Sequence, residues 1–302
     1  MTLPLSSVTS LSSRDRLSIS ERIGSQSTEV IVTGLELRMK RLFSEGENAV
    51  VVAMDHCQTF GPIPGLVDFT AAAESLLEAD GVLLAPQMIR FSGKLFARRG
   101  SPLVIGRVNW TTRHCVPWGY GESETVEEMS VATAVSMGAE IILAPIILLT
   151  GSERRDAENV RLFTRTVNEA HAFGLPIIGE VFAVPEVERD RNAFHDYIMR
   201  VSRIACELGA DAIKTFNTGE RFAEVIQGTP IPIFALGAEK MEHEIQALEL
   251  AARSVQAGAR GVVFGRNVIQ AKDPARFLQG LKAVVKMGIS PAQAAAQFGL
   301  YD

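Results

Sequence analysis

The sequence predicts an α/β protein whose strands and helices close into a (β/α)8 barrel, also called a TIM barrel. Eight short apolar runs, most of them followed by a helical segment, occupy about 250 residues, the usual length of this barrel. Glycine precedes several runs, as in Gly138-Ala139 and Gly209-Ala210, where it would end the preceding helix. An open doubly wound sheet is disfavoured because no Gly-x-Gly-x-x-Gly follows the first run.

The apolar runs are short and bounded by turn residues, which is typical of strands buried in a parallel sheet. They predict strands at residues 48–54, 81–85, 102–109, 139–146, 175–182, 209–216, 231–236 and 260–264. Helical spacing of apolar residues predicts helices at 33–43, 66–79, 123–137, 153–173, 193–208, 220–226, 241–257 and 274–287, with a last segment after Ser290-Pro291. Residues 110–121 are expected to form a long loop.

The amino-terminal stretch differs from the rest of the chain. Residues 1–27 are rich in serine and poor in large apolar side chains, so we interpret them as an N-terminal arm, mobile or docked on a neighbouring subunit. Residues 28–302 are then expected to form a single barrel domain. The helix at 33–43 would cover one end of it.

Composition disfavours several classes of partner and location. The chain of 302 residues has a net charge of −5, which disfavours nucleic acid and anionic membranes as partners. The longest apolar run, residues 141–150, is too short to span a bilayer, and no secretory signal is evident. The three cysteines show no Cys-x-x-Cys spacing, which is typical of reduced thiols in a cytoplasmic protein.

Lys214 interrupts the sixth apolar run, residues 209–216. Removing an ammonium group from water is costly, so a lysine here is expected at a strand end that opens on a cavity. Desolvation there disfavours the charged form and favours a nucleophilic amine. The alternative that this stretch leaves open is a lysine paired with a nearby carboxylate for structural reasons.

Polar side chains follow other predicted strands, and functional groups of such barrels lie at the carboxyl ends of the strands. Asp55 and His56 follow the first run and could move protons for a reaction at Lys214. Asn109 ends the third run and Glu180 lies in the fifth, so both could support the same site.

Glycine follows the seventh and eighth runs, where barrels often bind phosphate through backbone N–H groups. The first turn holds Gly237 and Ala238, and the second holds Gly265, Arg266 and Asn267. Arg266 could add a charge-assisted clamp. The two turns predict a small phosphorylated substrate; tight turns beside a solvated arginine are the alternative.

Metal chemistry fits the sequence less well. Of the five histidines, only His56 and His114 could converge, and zinc sites usually need three protein ligands. Cys57 could be a nucleophile, although small buried thiols more often serve packing. We therefore expect neither a metal nor another cofactor.

Five short motifs occur together in this chain. Residues 53–56 (Ala-Met-Asp-His) precede residues 61–66 (Gly-Pro-Ile-Pro-Gly-Leu), residues 209–215 read Gly-Ala-Asp-Ala-Ile-Lys-Thr, and Gly-Ser-Glu and Gly-Arg-Asn stand at 151–153 and 265–267. The combination resembles the archaeal-type class I fructose-bisphosphate aldolases. It also resembles their relatives, the aminodideoxyheptulosonate synthases and the thiolase that processes phosphorylated autoinducer-2. The resemblance spans about residues 30 to 290.

The resemblance implies a Schiff base at Lys214, an acid–base role for Asp55, phosphate bound after strands seven and eight, and a homo-oligomer. The expected activity is that of a metal-independent lyase, which makes or breaks a carbon–carbon bond in a phosphorylated ketose or related dicarbonyl. Two alternatives remain at this point. One is thiolase-like acyl transfer to coenzyme A with the same lysine, and the other is a catalytically silent barrel that serves as a binding module.

Three positions depart from the family pattern. Cys57 replaces the glycine after Asp-His, Phe182-Ala183 stands near the expected Tyr-Pro-Arg, and Leu236-Gly237-Ala238 replaces a Ser-Gly-Gly or Ala-Gly-Gly turn. The first two weigh against fructose bisphosphate as the substrate. Because the phenol that would move a proton is missing, we expect Asp55 and His56 to share the acid–base work.

Overall fold

Eight parallel strands form a closed barrel in the computed structural model, which describes residues 33–120 and 122–300. β1 is hydrogen-bonded to both β2 and β10, so the sheet closes and the predicted (β/α)8 barrel is confirmed. β4 and β5 form a separate antiparallel ribbon. In chain order the strands are β1 (Ala49–Ala53), β2 (Gly81–Leu84), β3 (Leu103–Arg107), β4 (Asn109–Thr111), β5 (Thr125–Glu127), β6 (Ile141–Ile146), β7 (Ile177–Val181), β8 (Ala212–Thr215), β9 (Ile233–Leu236) and β10 (Gly261–Phe264).

Helices connect the strands and cover the outside of the barrel. None of those in the described ranges is long and apolar enough to cross a membrane. The predicted arm, residues 1–27, falls outside these ranges. The helices are α1 (Gly34–Leu42), α2 (Cys57–Phe60), α3 (Phe69–Glu74), α4 (Pro86–Phe96), α5 (Val131–Met137), α6 (Glu153–Ala172), α7 (Arg191–Glu207), α8 (Phe222–Gln227), α9 (Glu244–Gln256), α10 (Arg266–Ile269), α11 (Pro274–Met287) and α12 (Pro291–Phe298).

The apolar strands separate two layers of the core, because successive strand side chains point to opposite faces. In β1, Val50 and Val52 belong to the outer cluster under the helices. Ala49, Val51 and Ala53 belong to an inner cluster that fills the barrel. The same alternation directs charged residues inward where strands end at the top of the barrel.

The helix α1 closes the amino end of the barrel, as predicted. Its last residue, Leu42, is fully buried within the inner cluster, and Met39 and Phe43 pack against that cluster. The Phe43 ring stacks on Phe234 of β9 with centroids 5.8 Å apart. The opposite, carboxyl end of the barrel is left for the site.

Two predicted helices are shorter than expected. The helix predicted at 66–79 extends only over α3, and the Asp68 carboxylate caps it by accepting from the Ala71 N–H. The helix predicted to begin at 123 begins instead at Val131, where Ser130 Oγ accepts from the Thr133 N–H.

The segment before α5 is an extended ribbon rather than a loop and helix. Trp110 of β4 lies opposite Val126 of β5 in antiparallel register. β-branched residues such as Thr125 and Val126 favour extended backbone, and serine is a preferred N-cap, so local chemistry explains the later helix start. The ribbon brings the short 3-10 turn Thr112–His114 to the barrel mouth.

Candidate active site

A cavity of about 370 Å3 lies at the carboxyl ends of the barrel strands. Side chains from β1, β3, β7 and β8 line it, together with the turns after β9 and β10. This is the end of the barrel where the sequence placed the functional groups. The predicted site residues that line the cavity are Asp55, His56, Glu180, Lys214, Gly237, Ala238, Gly265 and Arg266.

Lys214 and Glu180 form an ion pair inside the cavity. β7 and β8 pair these two residues in register, and the alternation in each strand turns both side chains inward. Lys214 Nζ lies 2.5 Å from Glu180 Oε1, and the two side chains are 8% and 1% exposed. The sequence left open that Lys214 pairs with a nearby carboxylate for structural reasons. Glu180 is that carboxylate. It holds the amine at the cavity wall.

Arg107, at the end of β3, was not predicted as a site residue. Its Nε donates to Asp55 Oδ2 at 2.6 Å, and its Nη2 donates to Glu180 Oε1 at 3.0 Å. The signal was available, since a lone cation interrupts the apolar run of β3 as Lys214 interrupts that of β8. Arg107 links the carboxylates from β1 and β7 into one charged network.

The network keeps both carboxylates ionised. Burial by itself would raise the pKa of Asp55, but the positive charges of Arg107 and Lys214 outweigh it and lower that pKa. The same balance holds the pKa of Glu180 well below its usual value. Burial would lower the pKa of Arg107, yet Glu180 and Asp55 raise it. Neither carboxyl group can therefore serve as a resting acid at neutral pH.

Two neutral imidazoles flank this network. Burial lowers the pKa of His56 and that of His114 to about 4. His56 Nδ1 lies 3.9 Å from Asp55 Oδ1, and His114 Nε2 lies 3.3 Å from Glu180 Oε2. Within residues 33–120 and 122–300, no group of three or more histidine, cysteine, aspartate or glutamate side chains could hold a metal ion. The two imidazoles can give or take a proton.

Arg266 lies on the side of the cavity formed by the turns after β9 and β10. Its Nη2 donates to the Ala238 carbonyl at 3.0 Å, and its guanidinium lies 5.5 Å above the Phe60 ring. A Cβ at Gly265 would approach His56 Cε1 to 2.2 Å, so this turn requires glycine. Among described residues, Arg266 lacks the carboxylate partner that the other cavity-lining cations have.

Two predicted site residues stand behind the cavity wall. Asn267 is buried and braces the turn after β9, since its Nδ2 donates to the carbonyls of Gly237 and Glu239 and its Oδ1 accepts from the Met241 N–H. Asn109 is fully buried in the ribbon, past the end of β3. Neither lines the cavity, and the phosphate-binding role of Asn267 and the supporting role of Asn109 stay predictions.

The ribbon supplies the far wall, opposite Arg266. The Arg113 guanidinium donates to the Ala183 carbonyl and to the Glu188 carboxylate. The His114 ring packs edge-on against Phe182, with centroids 4.6 Å apart. The sequence placed His114 in the loop after the third strand, where it could converge with His56 as a metal ligand, but its place beside Phe182 depends on the ribbon.

Comparison with known proteins agrees with this geometry. A model of the DeoC/LacD family of aldolases matches residues 49–271. An uncharacterized aldolase of Saccharolobus solfataricus is 30% identical over 260 residues, covering 83% of this chain and 94% of that protein. A 3-hydroxy-5-phosphonooxypentane-2,4-dione thiolase of Klebsiella pneumoniae is 28% identical over 269 residues, covering 86% of this chain and 84% of that protein.

Solved structures give the same result. An archaeal fructose 1,6-bisphosphate aldolase superposes with a TM-score of 0.69 at 26% identity, over 83% of this chain and 98% of that one. Another archaeal aldolase structure, described with its catalytic lysine covalently bound to the carbinolamine intermediate, has a TM-score of 0.67 at 25% identity, over 83% and 99%. The chain belongs to the DeoC/LacD family of aldolases and is an enzyme of the lyase class.

Proposed function

We propose that the enzyme is a metal-independent aldolase in which Lys214 forms a Schiff base with a phosphorylated ketose or a related dicarbonyl. The observation that carries the proposal is the Lys214–Glu180 pair, with Nζ 2.5 Å from Oε1 in the cavity wall. A buried amine with an adjoining proton acceptor suits attack on a carbonyl. The relative with a lysine-bound carbinolamine supports the same chemistry.

Glu180 serves the formation of the imine. It relays the two protons that the Lys214 ammonium loses on its way to the iminium, one to the oxyanion formed by attack and one to the carbinolamine hydroxyl, which leaves as water. Arg107 donates to both carboxylates, so it offsets the negative charge of Glu180 during these steps and holds Asp55 in place. The resulting iminium withdraws electrons while the bond to the next carbon breaks, and an enamine remains on Lys214.

Asp55 and His56 serve the enamine from the β1 side. His56 is neutral because burial lowers its pKa to about 4, so it can carry a proton. The Asp55 carboxylate beside it stabilises the imidazolium that forms when His56 accepts one. The pair exchanges a proton with the enamine carbon, after which water releases the product from Lys214.

Arg266 and the backbone around Gly237 and Gly265 bind the phosphate. Arg266 makes no direct ion pair within the described part of the chain, and Glu239 acts on it only through the field of its charge, so the guanidinium is available to an anion. Gly237 also tolerates no side chain, since a Cβ there would lie 2.9 Å from the Phe264 ring. Charge-assisted hydrogen bonds of this kind contribute about 1.5–3 kcal/mol each.

Borohydride trapping tests the proposal. Incubation with dihydroxyacetone phosphate and borohydride should add one substrate mass per chain, on the peptide that contains Lys214. Lys214→Met should abolish the adduct and the activity, and a chelator should change neither. Lys240→Met is the matched control, because Lys240 lies at another strand end and does not line the cavity.

The phosphate assignment is tested with the same assay. Unphosphorylated dihydroxyacetone should label the enzyme poorly. Arg266→Gln should reduce labelling by dihydroxyacetone phosphate but leave labelling by dihydroxyacetone unchanged. Activity that is lost to a chelator in a protein that borohydride never labels would refute the Schiff base and favour a metal at His56 and His114.

Acyl transfer to coenzyme A is the second candidate function. Relatives from Klebsiella, Enterobacter and Yersinia favour it, because they are named 3-hydroxy-5-phosphonooxypentane-2,4-dione thiolase. Lys214 would form a similar adduct, and an acyl group would then leave to the thiol. Adding coenzyme A to the enzyme with that dione and measuring acyl-coenzyme A distinguishes this reaction from aldol cleavage.

The proposal also places the enzyme in the cytoplasm as a homo-oligomer. The three cysteines Cys57, Cys115 and Cys206 form no disulfide, which suits a reducing compartment. The oligomer is supported by the family resemblance.

A further inference from the structure

His114 stands at a position that the proposed mechanism does not use. The 3-10 turn Thr112–His114 carries it over the cavity, where its ring packs on Phe182 of the loop after β7. Its Nε2 is 3.3 Å from Glu180 Oε2, and its side chain is 17% exposed. Glu180 binds Lys214 through its other oxygen, Oε1. The imidazole is therefore separated from the Schiff-base lysine by a single carboxylate.

His114 Nε2 is also an unmatched polar atom. It is buried and makes no hydrogen bond of good geometry with any described residue, whereas Glu180 Oε2 beside it forms an ion pair with Arg107 Nη1 at 2.9 Å. Both residues line the cavity, so a hydroxyl group of a bound substrate can reach them. His114 Nε2 is thus the atom of this pair that is left to accept from a hydroxyl.

The other cavity groups are less suited to the same hydroxyl. Asp55 is engaged by Arg107, whose Nε donates to its Oδ2 at 2.6 Å. His56 packs against Gly265, on the side of the cavity with Arg266, where the proposed phosphate binds. With the phosphate at Arg266, a substrate hydroxyl beyond the bond that breaks would extend away from it, toward Phe182 and the ribbon. His114 is the neutral base on that wall in the described part of the chain.

We propose that His114 is a catalytic residue for the carbon–carbon bond step, a role that rests on the proposed Schiff base at Lys214. Its Nε2 removes the proton from the substrate hydroxyl two carbons from the iminium carbon. The O–H electron pair becomes the carbonyl of the departing aldehyde. The carbon–carbon pair forms the enamine double bond, and the iminium pair returns to nitrogen. The imidazolium releases its proton to solvent as the aldehyde leaves.

The surroundings of His114 favour this role. Burial lowers its pKa to about 4, so the imidazole is neutral and ready to accept a proton at neutral pH. The ionised Glu180 carboxylate beside Nε2 then stabilises the imidazolium during the step. Phe182 shields the ring from water and fixes its orientation. The step needs no oxidant, reductant or second reactant.

Separating the half-reactions tests the proposal. Exchange of the dihydroxyacetone phosphate C3 hydrogen with D2O reports imine and enamine formation without a hydroxyl step. Condensation of that ketone with glycolaldehyde or D-glyceraldehyde reports the carbon–carbon step. His114→Gln should retain exchange and the borohydride adduct near wild-type levels, and should slow condensation by about 10²–10⁴-fold.

Controls separate a catalytic from a structural role. His171→Gln changes a histidine on α6, outside the cavity, and should leave both reactions unchanged. Adding Phe182→Tyr to His114→Gln places a phenol beside the vacated position and should restore part of the condensation. His114→Asn, which is smaller, should behave as His114→Gln does if the proton transfer rather than the shape is lost.

Each other outcome contradicts a specific statement. A His114→Gln enzyme with normal condensation, or one that loses exchange and condensation in parallel, refutes the catalytic role. A wild type that exchanges but condenses with neither aldehyde refutes the hydroxyl assignment. A wild type without exchange and without a Lys214 adduct refutes the proposed function itself, which distinguishes the two failures.

Discussion

At the scale of single residues, the charge balance of the site depends on Arg107. Its guanidinium bridges Asp55 and Glu180, and Glu180 in turn binds Lys214. The planar guanidinium fork suits two carboxylates at once, which the point charge of a lysine would not. Arg107 therefore positions groups from β1, β7 and β8 relative to one another.

Replacing Arg107 with leucine should strongly destabilise the protein. It would leave two buried carboxylates close together without their shared cation, and breaking a buried ion pair in this way costs about 3–5 kcal/mol. The free energy of unfolding, measured with urea, should fall by that order. Arg107→Lys retains a charge but loses the fork, so its loss should be smaller. A leucine variant as stable as the wild type would show that the network does not hold the barrel ends together.

The sequence allowed prediction of the site residues that follow from strand ends. Lys214, Asp55 and Arg266 each stand directly after or within an apolar run, and all three line the cavity. Arg107 gave the same signal and was passed over. His114 was expected to be able to converge with His56, but as a metal ligand, because its place beside Glu180 depends on the ribbon pairing of distant residues, which local patterns do not specify.

At the scale of elements, the ribbon and the barrel seam show two kinds of constraint. β5 of the ribbon occupies residues where a helix was predicted to begin. Pairing with the distant strand β4 decides that this segment is extended, because its local sequence allows either structure. The seam between β1 and β10 closes the barrel and depends on Gly261. There φ is +136°, and a Cβ would lie 1.9 Å from the Ala49 carbonyl oxygen. Both the conformation and the close approach of the strands require glycine.

Replacing Gly261 with alanine should open or strain this seam. The unfavourable φ and the backbone clash together should lower the free energy of unfolding by at least about 2 kcal/mol. Gly93→Ala in α4 is the matched control, because nothing lies within 4 Å of a Cβ there. That change should be neutral or stabilise by up to about 1 kcal/mol. Equal urea midpoints for the two variants would contradict the role given to the seam.

At the scale of the whole molecule, the cavity links the stability of the barrel to pH. His56 and His114 are buried as neutral imidazoles with pKa values of about 4, below the ordinary value of 6.5. Between these two values the unfolded chain binds more protons than the folded one, so acid favours unfolding. The stabilisation is complete above pH 6.5 and is lost as the pH falls toward 4.

The expected slope is about 1.4 kcal/mol per pH unit for each histidine within that window. Burial raises the carboxyl pKa values of Asp80 and Glu128. Near the acid end of the window these two groups therefore favour the folded state as the pH falls, opposite to the histidines. Urea unfolding between pH 7.5 and 5 should therefore show falling stability. The double variant His56→Gln/His114→Gln should flatten the profile, whereas His171→Gln should retain it. An unchanged slope in the double variant would mean that other groups govern the acid sensitivity, and that the two imidazoles are not held neutral by the cavity.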